Sequence, residues 1–195
     1  MRAFMLYRQP DHASGCGGWA RPHGELTIDA RQGDQRPRAG STDATADWAA
    51  IGVWARDLAA RIGQDQPTQH IAIFVPDHDR DRLRLAAQIW GAGEDTGDVI
   101  VGEWILPLEG SICGRVYRTG LAALCADVSM DPDYRSFPGG RTRSSLTVPV
   151  GPPNGVVAVI NLEAPWVGAF SIRDYERMTE RAAAAHTSFP ARPTA

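Results

Sequence analysis

The sequence predicts an α+β domain with a mostly antiparallel sheet and with the first and last helices packed on one face. Two patterns support this prediction: short apolar strand-like runs alternate with tight polar turns, and the clearest helical patterns lie near the two ends of the domain. No strand-helix-strand unit repeats along the chain, which disfavours a doubly wound parallel sheet. We therefore expect the short middle helices to cover the other face.

The composition suits one domain with an appended arm. The chain has 195 residues, of which 43% are hydrophobic, and a formal net charge of -3, which argues against a nucleic-acid-binding surface. No run approaches the roughly 20 apolar residues that span a bilayer. The N-terminal stretch lacks the apolar segment of a secretion signal, so we expect a cytoplasmic protein. Lysine is absent, which excludes Schiff-base chemistry and a phosphate-loop lysine.

The cysteines and histidines do not form a metal or disulfide pattern. Cys16, Cys113 and Cys125 are odd in number and widely spaced, so a disulfide framework is not expected. The histidines are scattered, and the sequence contains no CxxC or HExxH motif. These observations argue against a zinc site.

Residues 1–44 are rich in Gly, Pro, Arg, Asp and Ser, and we predict a largely disordered arm. A helical pattern follows, with Asp43 or Thr45 as its start signal and Gly63 as its stop. The predicted domain covers residues 45–188, and residues 189–195 are expected to form a disordered tail. The helix carries one apolar stripe, made of Trp48, Ile51, Ala55, Leu58 and Ile62.

Six segments have the length and composition of strands. The first two form a predicted hairpin with one buried face that carries Leu83, Leu85, Ala87 and Ile89, and the last two form a second hairpin around the turn GPPNG. Pro149 indicates an edge or a bulge in the second hairpin. The predicted strands are residues 70–75, 82–90, 99–108, 122–128, 144–150 and 155–163.

Capping signals locate the remaining helices. Ser111 and Gly120 bracket a short helix over residues 112–119. Asp131 followed by Pro132 predicts a single helical turn. Ser171 and Asp174 form the sequence pattern of a capping box at the start of the last helix.

From about residue 45 to 188 the chain resembles a GAF domain, a small-molecule sensory module related to the PAS fold. The resemblance depends on five features in order: LPLEGSICGRVYRTG, ADVSMDPDY, RSSLTVPV, NGVVAVINLEAPWVGAF and the terminal helix. It implies a GAF/PAS-like six-stranded antiparallel sheet with a ligand pocket on one face, opposite the first and last helices. It also implies a homodimer formed through residues 45–62 and 171–187. It names no particular ligand or cofactor, because GAF domains bind many different small molecules.

One enzymatic branch of GAF proteins, the free methionine-R-sulfoxide reductases, offers a second interpretation. Their GVCG cysteine matches Cys113, but the positions of two further cysteines fall near Glu103 and Phe137 in this chain. Their glutamate before the fifth strand falls at Ser145. Their DxD motif becomes Asn161 and Glu163. The resemblance thus leaves one thiol and one acid, with Cys125 as the remaining candidate for a resolving thiol.

The candidate ligand-binding residues leave functional and structural interpretations open. Cys113, in the first helical turn, is either an activated thiolate or a small packed residue. Arg143 with Ser145 forms an anion site, or Arg143 forms a buried pair with Asp127 or Glu163 that fixes the closing loop. Asp127 with Asp131 is a carboxylate pair or a loop anchor and cap. The remaining candidates are aromatic or polar residues on expected pocket segments: Trp90, Trp104, Tyr134, Asn161 and Glu163.

These observations lead to two functional expectations. The first is a sensory or regulatory domain that binds a small molecule and signals through dimer contacts or a partner protein, because the sequence after residue 188 is too short for an output domain. The second is a thiol-dependent reductase that uses Cys113.

Overall fold

The computed structural model describes residues 42–65, 70–77, 81–90, 104–136 and 140–190, with side chains of the first helix from residue 48 on. Residues 1–41 of the predicted arm, 191–195 of the predicted tail and 99–103 of the third predicted strand lie outside these residues. Residues 42–44, predicted as arm, belong to the first helix, and Phe189, predicted as tail, packs edge-on against Trp54. Within the described ranges the chain forms nine regular elements besides one 3₁₀ turn. In chain order they are α1 (Thr42–Asp65), β1 (His70–Asp77), β2 (Arg82–Trp90), β3 (Ile105–Pro107), α2 (Ile112–Thr119), β4 (Ala123–Cys125), β5 (Ser144–Val150), β6 (Ala158–Ala164) and α3 (Ile172–Thr187).

The strands form one six-stranded sheet in the order β3-β2-β1-β6-β5-β4, and every neighbouring pair is antiparallel. The predicted α+β class and sheet are therefore confirmed. Pro149 lies in the part of β5 that pairs with β6 but extends beyond the three residues that pair with β4. This part of β5 is an edge of the sheet, as predicted, and a proline is tolerated there because no N–H is needed on the unpaired side.

The two faces of the sheet have different partners, because side chains alternate along each strand. On β1, Ile71 and Ile73 belong to a core cluster with apolar residues of α1 and α3. Ala72 and Phe74 belong to a second cluster with Ile112 of α2. We call these the helix face and the cavity face.

One extra residue on β2 changes which side chains reach each face. Ile73 pairs with Ala87 and Phe74 pairs with Leu85, so Ala86 forms a β-bulge. Leu83 and Leu85 therefore pack on the cavity face, whereas Ala87 and Ile89 pack on the helix face. The prediction that these four residues share one face was wrong, because the alternation resets at the bulge.

Helix α1 and helix α3 run antiparallel on the helix face. Trp54 donates to the carbonyl of Ala185 at 3.3 Å, and Arg181, one turn earlier on α3, contacts Asp65 near the end of α1. Helix α1 begins at Thr42 and continues two residues past Gly63, the predicted stop. At this glycine a Cβ would meet only ordinary contacts, so nothing there ends the helix.

The other predicted helix signals gave mixed results. Ser111 caps α2 by accepting from the amide of Gly114, Gly120 ends it at φ 64°, and the capping box of Ser171 on α3 is present. The turn predicted after Asp131 is present as an isolated turn: the amide of Tyr134 donates to the carbonyl of Asp131 at 3.0 Å, and Asp131 Oδ1 accepts from the amide of Asp133 at 3.0 Å. The sequence did not predict the 3₁₀ turn that precedes it over Val128–Met130, where Asp127 accepts from the amide of Ser129.

Candidate functional site

A cavity of about 20 Å³ lies between the cavity face of the sheet and the N-terminal end of α2. Its floor consists of Ser145, Asn161 and Glu163 on the neighbouring strands β5 and β6. Its walls are apolar and aromatic side chains together with groups from α2 and the loop after β4. These other lining residues are His70, Phe74, Trp104, Leu106, Ser111, Ile112, Cys113, Tyr134 and Arg135.

A row of polar and aromatic side chains crosses the sheet beneath the cavity. Cys125 on β4 pairs with Ser145, Ser145 pairs with Glu163, Glu163 pairs with His70, and His70 pairs with Trp90. The rings of His70 and Trp90 stack at a centroid distance of 4.0 Å and an interplanar angle of 18°. Directly opposed side chains on one face lie close enough to interact, so the register itself assembles this site.

Glu163 is the centre of a buried hydrogen-bond network. Its Oε2 accepts from Thr142 Oγ1 at 2.9 Å and lies 3.2 Å from His70 Nδ1, while Oε1 accepts from Asn161 Nδ2 at 3.0 Å. Thr147 in turn donates to Asn161 Oδ1 at 2.8 Å. Only 5% of Glu163 is exposed, so these partners compensate for the desolvation of its carboxylate.

Ser145 differs from its neighbours on the floor. The residue is 2% exposed, and its hydroxyl has no hydrogen-bond partner among the residues that the structure describes. A buried hydroxyl without a partner costs about 1–3 kcal/mol of desolvation. A group that enters the cavity could satisfy it.

The start of α2 presses tightly on the chain before it. Ser111 donates to the carbonyl of Pro107 at 2.5 Å and accepts from Gly114. A Cβ on Gly114 would overlap the carbonyl oxygen of Leu108, so the helix can sit here only with glycine at this position. The close approach brings the preceding side chain, Cys113, to the cavity wall.

Neither described thiol is activated. Burial first, and then the charge of Glu163, raise the pKa of Cys113 far above its ordinary value. Burial and the charge of Asp131 raise the pKa of the half-buried Cys125 to about 11. Both side chains are therefore neutral thiols at physiological pH, and the helix N-terminus does not overcome desolvation at Cys113.

A charged clamp holds the loop after β4 against α2. The guanidinium of Arg115 binds both carboxylate oxygens of Asp131, at 3.1 and 2.6 Å, and contacts Asp133 at 2.5 Å. The carbonyl of Asp133 also accepts from the amide of Ile112 at 3.0 Å. The clamp positions Tyr134, which follows directly, at the cavity.

The structure brings together six of the nine predicted site residues and places three outside the described lining. Trp104, Cys113, Tyr134, Ser145, Asn161 and Glu163 line the cavity. Trp90 lies behind the wall, where it stacks on His70. Arg143 is exposed over 54% of its side chain and pairs with Asp127 at 3.5 Å, and Asp127 caps the 3₁₀ turn. Asp127 thus has the position expected of a loop anchor, whereas the expected buried pair of Arg143 is an exposed pair with Asp127.

Sequence reasoning missed several lining residues, and His70 is the most informative. It shares the strand parity of Ala72 and Phe74, opposite the β-branched residues that face the helices, so parity alone puts it on the cavity face. Arg135 had no such signal, because it lies in an irregular loop. Its guanidinium packs against Gly110, where a Cβ would lie 2.9 Å from Arg135 Nη2.

Among the described residues, no three His, Cys, Asp or Glu side chains are grouped closely enough to hold a metal ion. The same part of the chain contains no helix with the length and apolar character needed to cross a membrane.

No protein-family model and no curated protein matches the chain. Solved structures do match. The type II free methionine-R-sulfoxide reductase of Thermoplasma acidophilum aligns with a TM-score of 0.59 at 18% identity, over 73% of this chain and 96% of that one. The Neisseria meningitidis free methionine-R-sulfoxide reductase, in complex with its substrate, aligns with a TM-score of 0.58 at 18% identity, over 77% of this chain and 92% of that one.

GAF domains of other proteins are equally similar. The GAF domain of a phosphoenolpyruvate-protein phosphotransferase from Coxiella burnetii aligns with a TM-score of 0.59 at 14% identity, over 73% of this chain and 86% of that one. The second GAF domain of DevS from Mycobacterium smegmatis aligns with a TM-score of 0.56 at 17% identity, over 71% of this chain and 92% of that one. The chain thus has the GAF fold, and at these identities the likeness extends to the fold alone.

Proposed function

We propose that this GAF-fold domain binds a small molecule in the cavity above Ser145, Asn161 and Glu163 and acts as a sensory or regulatory module. The observation that carries the proposal is the Ser145 hydroxyl, which is buried, lines the cavity and lacks a partner among the described residues. Native proteins seldom leave such groups unsatisfied, and a bound ligand would supply the missing hydrogen bond.

The arrangement around Ser145 also suits a binding site. A few polar groups converge on the floor, and Phe74, Leu106 and Ile112 provide apolar walls. Small-molecule sites combine these two elements, because apolar contact provides affinity while placed polar groups fix orientation. The Glu163 network is formed entirely from protein groups, so the floor is preorganised.

Thermal shift measurements test the proposal. Anions, amino acids, nucleotides and haem are screened, since a ligand at about 100 times its Kd adds roughly 2.7 kcal/mol to stability. We expect at least one class to raise Tm, and Ser145→Val to abolish the shift by filling the cavity with a methyl group. Thr187→Val on α3, on the opposite side of the sheet, should retain it. A shift that survives Ser145→Val would place binding elsewhere and contradict the proposal.

We propose further that occupancy is transmitted through a homodimer formed by α1 and α3. Both helices pack on the helix face, and their outer surfaces expose Val53 at 53% and Ile172 at 45%. Val53→Glu and Ile172→Glu should shift a dimer toward monomer in analytical ultracentrifugation. The exposed Glu176→Gln on α3 is the matched control. A wild-type chain that stays monomeric at millimolar concentration would rule out this route and leave a partner protein.

We propose a cytoplasmic location, because the described cysteines are free thiols. Cys113 and Cys125 are both unpaired, and the reducing cytoplasm maintains cysteines in this state. Fractionation of cells that express the chain tests this, with the soluble cytoplasmic fraction as the expected location.

A thiol-dependent sulfoxide reductase is the second candidate function, because Cys113 lines the cavity as it would in such an enzyme. The raised pKa values of Cys113 and Cys125 count against it, since nucleophilic attack needs a thiolate. Incubation with free methionine sulfoxide and a thiol reductant decides the matter. Turnover that is lost in Cys113→Ser and kept in Cys125→Ser would establish the enzyme, and absence of turnover would remove it.

A further inference from the structure

Most side-chain hydrogen-bond donors around the cavity floor are committed to partners within the protein, and the hydroxyls of Ser145 and Tyr134 are exceptions among the described lining residues. Thr147 donates to Asn161, and Asn161 and Thr142 both donate to Glu163. On the wall, the Ser111 hydroxyl donates to the carbonyl of Pro107. Of the floor residues Ser145, Asn161 and Glu163, only Ser145 therefore has a donor group, its hydroxyl, that is without a partner among the described residues and can still donate to a ligand.

Acceptor capacity remains in the same place. Each carboxylate oxygen can accept about two hydrogen bonds, and Oε1 of Glu163 accepts from Asn161 Nδ2. The neighbouring Ser145 hydroxyl can also accept. Glu163 and Ser145 are directly opposite on paired strands, so one small group can reach both.

The charge of Glu163 affects the ionisation of other groups that line the cavity. Apart from burial, which is the larger cause, this carboxylate raises the pKa of the Cys113 thiol and of the Tyr134 phenol. Both groups line the cavity, on different elements, and each resists becoming an anion. A ligand anion at the floor would meet the same repulsion, whereas a cation would be attracted. The guanidinium of Arg135 also lines the cavity, but this residue is exposed and its guanidinium packs against Gly110 rather than among the floor residues.

The size of the cavity restricts the group that binds at the floor. A water molecule needs about 10–15 Å³ of such space, and the cavity offers about 20 Å³. That room suits one small polar group at the floor, such as a tetrahedral nitrogen with its hydrogens.

From these observations we infer that the ligand presents a primary ammonium group to the floor, bound by Glu163 Oε1 and the Ser145 hydroxyl, with its apolar part against Leu106 and Ile112. The inference rests on the proposed binding function and names the chemistry of that site. A primary ammonium has three donors and a positive charge, so it matches an acceptor-rich, anionic floor.

Three probes of equal length test the inference by NMR titration of the isotope-labelled chain at about pH 8, above the range in which ordinary imidazoles titrate. They are propylammonium, propanol and propionate. We expect propylammonium to shift the amide signals of Ser145 and Glu163 at the lowest concentration. Glu163→Gln should weaken its binding about 10- to 100-fold, with little change for propanol. The exposed Glu176→Gln should change neither.

Ser145→Ala, which leaves the charge of Glu163 in place, should weaken the binding of propylammonium by about 3- to 10-fold. This second variant tests the inference if Glu163→Gln does not fold. Equal binding of propanol and propylammonium, or preferential binding of propionate, would overturn the ammonium assignment while supporting the cavity as a binding site. If none of the three probes shifts signals at the floor, both the inference and the proposed binding function lose their basis.

Discussion

Ser144 and Ser145 are adjacent buried residues on β5 whose hydroxyl groups meet opposite surroundings. Ser144 Oγ donates to the carbonyl of Trp166 at 2.8 Å and accepts from the amide of Ala169 at 3.3 Å, so it fixes the turn after β6. Ser145 Oγ faces the cavity and has no partner among the described residues. One residue stabilises the fold, and the other bears a desolvation cost that a ligand would relieve.

Alanine substitutions should separate these two roles. Ser144→Ala should lower the free energy of unfolding by about 1 kcal/mol, because two backbone groups, in part-buried hydrogen bonds, lose their partner. Ser145→Ala should leave it unchanged or raise it by up to about 1 kcal/mol, because an unsatisfied hydroxyl is removed. Urea denaturation measures both. A loss at Ser145 as large as that at Ser144 would mean that the hydroxyl has a partner in the free protein.

The clamp between Arg115 and Asp131 should contribute to stability and to the order of the cavity loop. Arg115→Met should cost about 1 kcal/mol, since the guanidinium is one-third exposed and its pairs are only partly desolvated. It should also broaden or shift the NMR signals of Tyr134. Arg177→Met breaks a more exposed pair with Asp174 on α3 and should cost less than about 0.5 kcal/mol. Equal effects would deny the clamp a special role.

Two helical glycines should respond to alanine in opposite directions. Gly114→Ala places a Cβ against the backbone of Pro107 and Leu108, and overpacking of this kind costs about 1–3 kcal/mol. Gly52→Ala in α1 meets only Arg56 Nη1 at 3.5 Å, so better helix propensity should stabilise the chain by about 0.5–1 kcal/mol. Thermal denaturation shows whether each substitution lowers or raises the melting temperature. A neutral Gly114→Ala would show that α2 can move away from the preceding strand.

The two described thiols should react slowly in the native state. At pH 8 a thiol of pKa about 11 is ionised to roughly one part in a thousand, so alkylation of Cys125 by iodoacetamide should be far slower than that of free cysteine. Cys113, which is buried, should react only on unfolding. A Cys16→Ser background removes the third thiol. Mass spectrometry after timed quenching gives both rates, and early labelling of Cys113 would revive the reductase interpretation.

Raised thiol pKa values also predict loss of stability at alkaline pH. Between about pH 9, the ordinary value, and pH 11 the folded chain keeps the Cys125 proton while the unfolded chain releases it. The stabilising contribution is complete below about pH 9 and declines as pH rises through that window. Urea midpoints at pH 8 and pH 10 should therefore differ more in wild type than in Cys113→Ala/Cys125→Ala. Equal differences would contradict this linkage.

How far the sequence predicts this molecule depends on how local each determinant is. The caps of α2 and α3 were predicted to the residue, because Ser111 and Ser171 interact with groups three residues away. The cavity side of Ser145 and Glu163 followed from the resemblance and from strand alternation. The role of Arg143 could not be assigned from the sequence, because its exposure depends on the path of the surrounding loop. Long-range contacts fix that path, such as the hydrogen bond from the amide of Val128 to the carbonyl of Arg143.

The bulge at Ala86 shifts the alternation of side chains in β2 by one residue. Because of this one residue, Gln88 and Trp90 face His70, and Gln88 Oε1 lies 3.1 Å from its Nε2. An alignment of this chain with a bulge-free relative must therefore open a one-residue gap at Ala86. Without that gap, every residue in the second half of the strand would be compared with one from the wrong side of the sheet, and the surroundings of His70 would be read as apolar.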